Sequence, residues 1–303
     1  MTNTETYLAP AAPIGIFDSG LGGLTVARQI AEFLPQENLI YLGDTLRCPY
    51  GPRPAAEVRE FALQDCRFLQ DRGVKLIIIA CNTATAVARE AAQEEFSVPI
   101  IGVINPGARA AVRTTRNRKV GVIGTEGTIA SGAYERALLS YDAGLQILSV
   151  ATPDFVPIVE EGLSHNDDGK VWLPDEFFDL AHRQLDPLVA AGIDTLVLGC
   201  THYPILAPAL QRVVGPNVTL INSAEETAHS ARTLLTRKGN ARGAGLGETG
   251  RRGQRGLRAG CDSLSGAGQA SRQYFTTGEA AAFEQLGSRI MGHSISPVTT
   301  VVL

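Results

Sequence analysis

Apolar residues recur along this chain in two alternating rhythms. Short runs rich in Val, Ile and Leu stand at residues 14–17, 39–42, 76–80, 99–103, 119–123, 145–150, 195–199 and 218–221. Such runs read as strands buried on both faces, the kind found in parallel sheets. Between them apolar positions recur at helical spacing, over residues 24–34, 55–72, from 83 onward, 108–115, up to 141, 155–162, 175–191, 207–214 and 223–235. A closing strand, helix and strand are expected at 273–277, 279–290 and 298–302. This alternation predicts an α/β fold with mainly parallel sheets. The pattern restarts near Asn105, where Asn105-Pro-Gly107 reads as a chain-turning signal. Two similar domains are therefore expected: residues 14–105 with 222–303, and residues 106–221. Residues 1–13 read as a flexible tail. Residues 239–272 are rich in Gly, Arg and Ser and poor in large apolar side chains. Such a segment cannot bury enough surface to offset its ordering entropy, so it reads as a flexible insertion.

The sharpest change of rhythm lies between Lys75 and Ala88. Leu76 to Ala80 is strand-like, and after Thr83 the residues Ala84, Val87, Ala88 and Ala91 share one helix face. Cys81, Asn82 and Thr83 thus stand where a strand ends and a helix begins, the place where open α/β sheets bind ligands. Free N–H groups at a helix start favour an anion, a thiolate included. The second half repeats the device: Thr195 to Gly199 is followed by Cys200, Thr201 and His202, with Pro204 placed to open a helix. Asp18 and Ser19 occupy the same kind of strand end. The glycines from Gly20 to Gly23 match neither G-x-G-x-x-G nor a P-loop, and are expected to bring backbone N–H groups to a small anionic ligand. The Pro- and Gly-rich loop 43–54, a polar turn at 124–128, and a short helix bearing Glu160 and Glu161 complete the set of strand-end features.

Composition narrows the function. The chain has 303 residues and a net charge of −4, which argues against a whole-protein nucleic-acid binder. No apolar run approaches the roughly 18 residues of a membrane span. Residues 1–13 lack the basic start and apolar core of a secretory signal. The five cysteines have no framework spacing; a cytoplasmic, reduced protein is the simplest expectation. Cys66, inside an expected helix, reads as packing.

Three chemistries are open to the cysteines. A single nucleophile would need a base; His202 stands two residues from Cys200, but adjacent side chains at a strand end are expected to diverge, and this leaves Cys81 idle. A zinc site from Cys81, Cys200, His202 and Asp18 lacks the usual C-x-x-C spacing. A proton-transfer pair uses both cysteines, facing each other across a cleft between domains, one as thiolate and one as thiol. A carbanion made between them and reprotonated from the other face inverts a stereocentre. Pyridoxal phosphate, the other common route to such a carbanion, needs a lysine at the site. Lys75, Lys119, Lys170 and Lys238 are the only lysines, and none stands at a strand's C-terminal end. No metal and no organic cofactor are expected.

Phe17-Asp-Ser-Gly-Leu-Gly-Gly-Leu-Thr25, the loop from Gly43 to Gly51, Ala80-Cys-Asn-Thr-Ala-Thr85, Gly121-Val-Ile-Gly-Thr125 and Leu198-Gly-Cys-Thr-His-Tyr-Pro204 together resemble the glutamate racemase family, among the cofactor-independent amino-acid racemases. The resemblance runs from Ile14 to Leu303. It implies interconversion of L- and D-glutamate, supply of D-glutamate to peptidoglycan, and a site between two α/β domains. It implies catalytic roles for Cys81 and Cys200, assisted by Asp18 and His202, with Glu160 as a further acidic residue. Ser19, Tyr50, Gly51, Asn82, Thr83 and Thr201 match substrate-binding positions. A racemase acting on aspartate is the alternative within this class. The expected partners are L- or D-glutamate and a second copy of the chain in a homodimer, with no membrane. A binding role in which Arg251, Arg252, Arg255 and Arg258 touch nucleic-acid phosphates ranks lower, since no aromatic residues interleave for stacking. The insertion 239–272 has no counterpart in the family pattern.

Overall fold

The computed structural model describes residues 9–165, 171–242 and 270–303. In chain order the first elements are β1 (Ile14–Asp18), α1 (Leu24–Phe33), β2 (Leu39–Gly43), α2 (Ala55–Gln70), β3 (Leu76–Ile79), α3 (Asn82–Glu95), β4 (Ile100–Gly102) and α4 (Ile104–Thr114). Then come β5 (Lys119–Gly124), α5 (Glu126–Ala130), α6 (Ala133–Tyr141), β6 (Gln146–Ala151), α7 (Phe155–His165), α8 (Asp175–Ala190) and β7 (Thr195–Gly199). A 3-10 turn (Tyr203–Leu206), α9 (Ala207–Val214), β8 (Thr219–Asn222), α10 (Ser223–Arg237), β9 (Arg272–Thr276), α11 (Ala280–Met291) and β10 (Val298–Thr300) complete the order.

Two sheets result, one of order β10-β9-β2-β1-β3-β4 and one of order β6-β5-β7-β8. Every strand pair is parallel. Parallel pairing puts all carboxyl ends of a sheet at one edge. Register makes this specific: Asp18 lies opposite Gly43, and Phe17 opposite Ile79, so the β1 and β3 exits are neighbours. In the smaller sheet Gly124 pairs with Gly199, so Thr125 and Cys200 leave side by side. The inner strands are buried on both faces, as their sequence requires. Ile16, Tyr41 and Ile78 pack toward Leu24 and Ile30 of α1, while Phe17, Leu42, Ile77 and Ile79 pack toward Val58, Leu69, Ala84 and Ala88 of α2 and α3. Each such aliphatic side chain contributes about 1.5–3 kcal/mol by leaving water.

Several local expectations are corrected. Asn105-Pro-Gly107 does not turn the chain out of the helix; it lies in the first turn of α4, where proline's missing N–H has no helical acceptor to lose. The helix expected to reach Tyr141 is two helices, divided at Gly132, whose φ of 63° is left-handed. Arg272, placed in the insertion, is the first residue of β9. Residues 9–13 of the tail are tied down: Asn38 Nδ2 donates to the Ala11 carbonyl at 2.8 Å, and Lys75 N to that of Pro13 at 2.8 Å. Lys75 itself is fully buried, its ammonium 2.5 Å from Glu37 and bonded to the carbonyls of Pro10 and Asn240. The two edges of the insertion also meet. Arg242 Nη1 and Ser271 N both donate to Asn38 Oδ1, at 2.5 and 2.8 Å. The bulk of the insertion, with Cys261 and the four arginines considered for nucleic acid, lies outside the described residues, as do residues 1–8 and Lys170.

Candidate active site

The four strand ends bearing Asp18, Cys81, Thr125 and Cys200 converge, two from each sheet. At the β1 exit the Asp18 carboxylate is gripped by its own loop: Oδ2 accepts from Gly23 N at 2.9 Å and Gly20 N at 3.2 Å. The glycine cluster was expected to offer its N–H groups to a ligand; these two are given to Asp18 instead. Gly22 has a different reason to lack a side chain. A Cβ there would lie 2.4 Å from Thr201 Oγ1 and 2.5 Å from His202 Nδ1. The loop of one domain thus rests directly on the Cys200 turn of the other. Thr25 Oγ1 donates to the Thr201 carbonyl at 3.0 Å, and Thr201 Oγ1 reaches Asp18 Oδ1 at 3.5 Å. Burial pushes the Asp18 carboxyl up, against the pull of His202 and the backbone N–H groups.

Cys81 caps α3, its Sγ accepting from Ala84 N at 3.5 Å. Ser19 Oγ lies 3.8 Å from the same sulfur. The helix start was expected to favour a thiolate. Burial first, and the neighbouring Asp18 charge second, outweigh it and push the Cys81 thiol well up. The next two residues reach across to the other domain. Asn82 Oδ1 accepts from the Tyr134 hydroxyl at 2.7 Å, and Thr83 Oγ1 meets Thr125 Oγ1 at 2.9 Å and Thr128 Oγ1 at 3.3 Å.

Cys200 is not a helix cap. The backbone beyond it winds through the 3-10 turn before α9 begins, so Pro204 opens that turn instead. A turn closed by Tyr203 N donating to the Cys200 carbonyl at 3.2 Å brings His202 back: Cys200 Sγ and His202 Nδ1 are 3.9 Å apart, where strand geometry had suggested divergence. His202 Nε2 lies 3.0 Å from Glu160 Oε1. Burial disfavours the imidazolium, but hydrogen bonds to Cys200 and Glu160 outweigh it and raise His202 to about 10. The same contact lowers Glu160, against the effect of its burial.

Tyr50 is buried. Its hydroxyl bonds to Asp44 Oδ2 and, at 3.1 Å, to Asp65 Oδ2, and Arg47 bridges the two carboxylates. Gly51 contributes its carbonyl, which accepts from Gly127 N across the cleft at 2.9 Å. Sequence reasoning missed Asp44, Asp65, Thr125, Thr128 and Tyr134. The polar turn 124–128 was itself a signal for the two threonines, standing at a strand end as Cys81 does. Tyr134, inside a helix, carried none. A cavity of about 570 Å³ lies behind the His202 turn, lined by Thr25, Arg28, Pro204, Arg212 and Arg289 among others; it includes none of the cysteine-end residues. Among the described residues no group of three or more His, Cys, Asp or Glu is arranged to hold a metal ion, and no helix is long and apolar enough to cross a membrane.

Two α/β domains with a thiol at a strand end of each define an enzyme class, the amino-acid racemases. The family model for Asp/Glu/Hydantoin racemase matches residues 21–231. A glutamate racemase from Exiguobacterium sibiricum is 43% identical over 282 residues, 93% of each chain. Among solved structures, a glutamate racemase isoform from Bacillus anthracis superposes with a TM-score of 0.82 at 40% identity, covering 96% of this chain and 98% of the other. The Francisella tularensis glutamate racemase in complex with D-glutamate gives 0.79 at 29% identity, covering 97% and 98%. The chain belongs to the Asp/Glu racemase family, in its glutamate racemase branch, and is an isomerase.

Proposed function

We propose that this enzyme interconverts L- and D-glutamate without a cofactor, by proton transfer between Cys81 and Cys200. The carrying observation is the pairing itself: two buried thiols at strand ends of two domains, with the Asp18 carboxylate reached at 3.5 Å by Thr201, the residue after Cys200. One cysteine, as thiolate, removes the α-proton, and the electron pair stays on the α-carbon and its carboxylate. The other, as thiol, delivers its proton to the opposite face. The two sulfurs end with their protonation exchanged, ready for the reverse reaction. Asp18 serves the Cys81 side and His202 the Cys200 side, with Glu160 holding the imidazole. Ser19, Tyr50, Gly51, Asn82, Thr83 and Thr201 bind substrate, with the Tyr50 hydroxyl held in place by Asp44 and Asp65. A solved relative that holds D-glutamate supports this substrate. Lys75 and Lys119 stand at strand starts, bonded to Glu37 and to the Ala191 carbonyl, far from where a Schiff base would be needed. D-glutamate so made would feed peptidoglycan synthesis, as the resemblance implies.

The test is incubation of purified protein, without added cofactor, with L-glutamate and with L-aspartate in heavy water. Loss of optical rotation with deuterium at the α-carbon of glutamate is expected. Exchange on aspartate alone would reassign the substrate, and no exchange on either would sink the reading.

A further inference from the structure

Tyr134 stands between the two cysteine ends and has no part in the scheme above. Its ring lies against the end of β7: a Cβ on Gly199, the residue before Cys200, would come within 3.0 Å of Tyr134 Cε2. Its hydroxyl crosses to the other domain and donates to Asn82 Oδ1, beside Cys81, at 2.7 Å. The contact has a polarity: the phenol proton goes to the Asn82 carbonyl oxygen. A primary amide has an acceptor end and a donor end. With Oδ1 taken by Tyr134, the donor end is left over. Asn82 is 3% exposed, and its Nδ2 is buried with no protein partner. A buried donor without an acceptor is unfavourable, and native structures keep few of them outside functional sites. The reverse amide orientation would take away the buried phenol's acceptor and strand its own proton.

We propose that Tyr134 is a positioning residue for substrate: its hydroxyl holds the acceptor end of Asn82, so that Nδ2 is presented as a donor to a carboxylate oxygen of the amino acid lying between the cysteines. This rests on the racemase reading above and on Asn82 binding substrate. Burial raises the Tyr134 phenol, which keeps it the donor over the working pH range. The Tyr134–Asn82 contact joins α6 to α3, so the donor is set only when the two domains are together.

The test is steady-state racemisation from both L- and D-glutamate by Tyr134→Phe, Asn82→Ala, the double variant and Asn82→Asp. Tyr134→Phe keeps the ring against Gly199 and removes only the hydroxyl. KM is expected to rise about tenfold in both directions, with kcat within about threefold, as for loss of one hydrogen bond to a charged ligand. Asn82→Ala is expected to raise KM at least as much, and the double variant to be no worse than Asn82→Ala alone. An unchanged KM in Tyr134→Phe, or effects that multiply in the double variant, would overturn the proposal alone. An unchanged KM in Asn82→Ala would overturn it together with the substrate-binding role of Asn82. Should Tyr134→Phe fail to fold, Asn82→Asp decides: it keeps an acceptor for the Tyr134 hydroxyl and has no Nδ2 donor, so a KM rise at least as large as that of Asn82→Ala supports the proposal, and no rise overturns it.

Discussion

Cys81 and Cys200 share an address and differ in everything around it. Cys200 comes directly after an inner strand of a parallel sheet, Cys81 follows another after one intervening residue, and both are almost fully buried. Cys81 caps a long helix and has a carboxylate, Asp18, for a charged neighbour. Cys200 precedes a short 3-10 turn and has an imidazole, backed by a second carboxylate. The repeated fold supplies position, and the residues just beyond each strand supply the charge. One helix N-terminus does not make a thiolate when burial and an anion oppose it. A two-sided proton transfer is thus built from unlike halves, one set beside negative charge and one beside positive.

The largest effect should come from removing either sulfur. Cys81→Ser and Cys200→Ser should each lower racemisation about a thousandfold or more, since an alcohol is a far poorer acid and base at neutral pH. Near-normal turnover in either would end the two-sided scheme. Removing the charges should then separate the halves. Asp18→Asn should lower the Cys81 thiol's pKa, seen as alkylation of Cys81 at lower pH than in the parent, with activity down about tenfold to a hundredfold. An unmoved alkylation profile would deny Asp18 its influence.

Glu160→Gln acts on the other half. His202 should lose its proton well below the parent's value of about 10, so the alkaline limb of kcat/KM should move to lower pH. Stability gives an independent sign. The folded His202 is raised above its ordinary value near 6.5, so its contribution is full below that pH and is lost as pH rises through about 10. Thermal melts of parent and variant should therefore converge across that window. Melts that diverge with rising pH would contradict the pairing.

Smaller effects calibrate the comparison. Cys66→Ser should leave activity nearly intact while lowering stability by about 1–2 kcal/mol, because it buries a hydroxyl in an apolar helix interface. Cys48→Ser should be mild in activity, although burial and the charges of Glu160, Asp18 and Asp44 hold its thiol at about 12. The smallest change is expected from replacing residues 243–270 with a short Gly/Ser bridge. Its edges already meet at Asn38, before β2 and hence at the opposite end of the sheet from the cysteines. Shortening such a loop changes closure entropy by about 1 kcal/mol. A bridged protein that folds, by circular dichroism, yet is inactive would tie the insertion to the cleft.

The strands and the cysteines' address were legible because both are local. An unbroken run such as Leu76 to Ile79 has few alternatives to a buried strand, and the residues after it must leave at the carboxyl end. The partners were legible only in part. The return of His202 to Cys200 depends on a turn, closed between Tyr203 N and the Cys200 carbonyl, that no spacing rule foretold. Asp65 sits mid-helix in α2 and Tyr134 in the first turn of α6, where a polar group looks like any solvated face until its partners are in place. Glu160 came only through family resemblance, and its bond to His202 is a meeting of residues 42 apart in sequence.

Lys75 has a consequence for experiment. Its ammonium is sealed among Glu37 and two carbonyls, and its side chain has no exposed surface. Amine-directed reagents can reach it only in molecules whose sheet has opened. With so few lysines in the chain, its labelling by mass spectrometry becomes a clock for global unfolding, read in the active enzyme without denaturant. Lys238, beyond the last turn of α10, supplies the reference rate for an accessible amine.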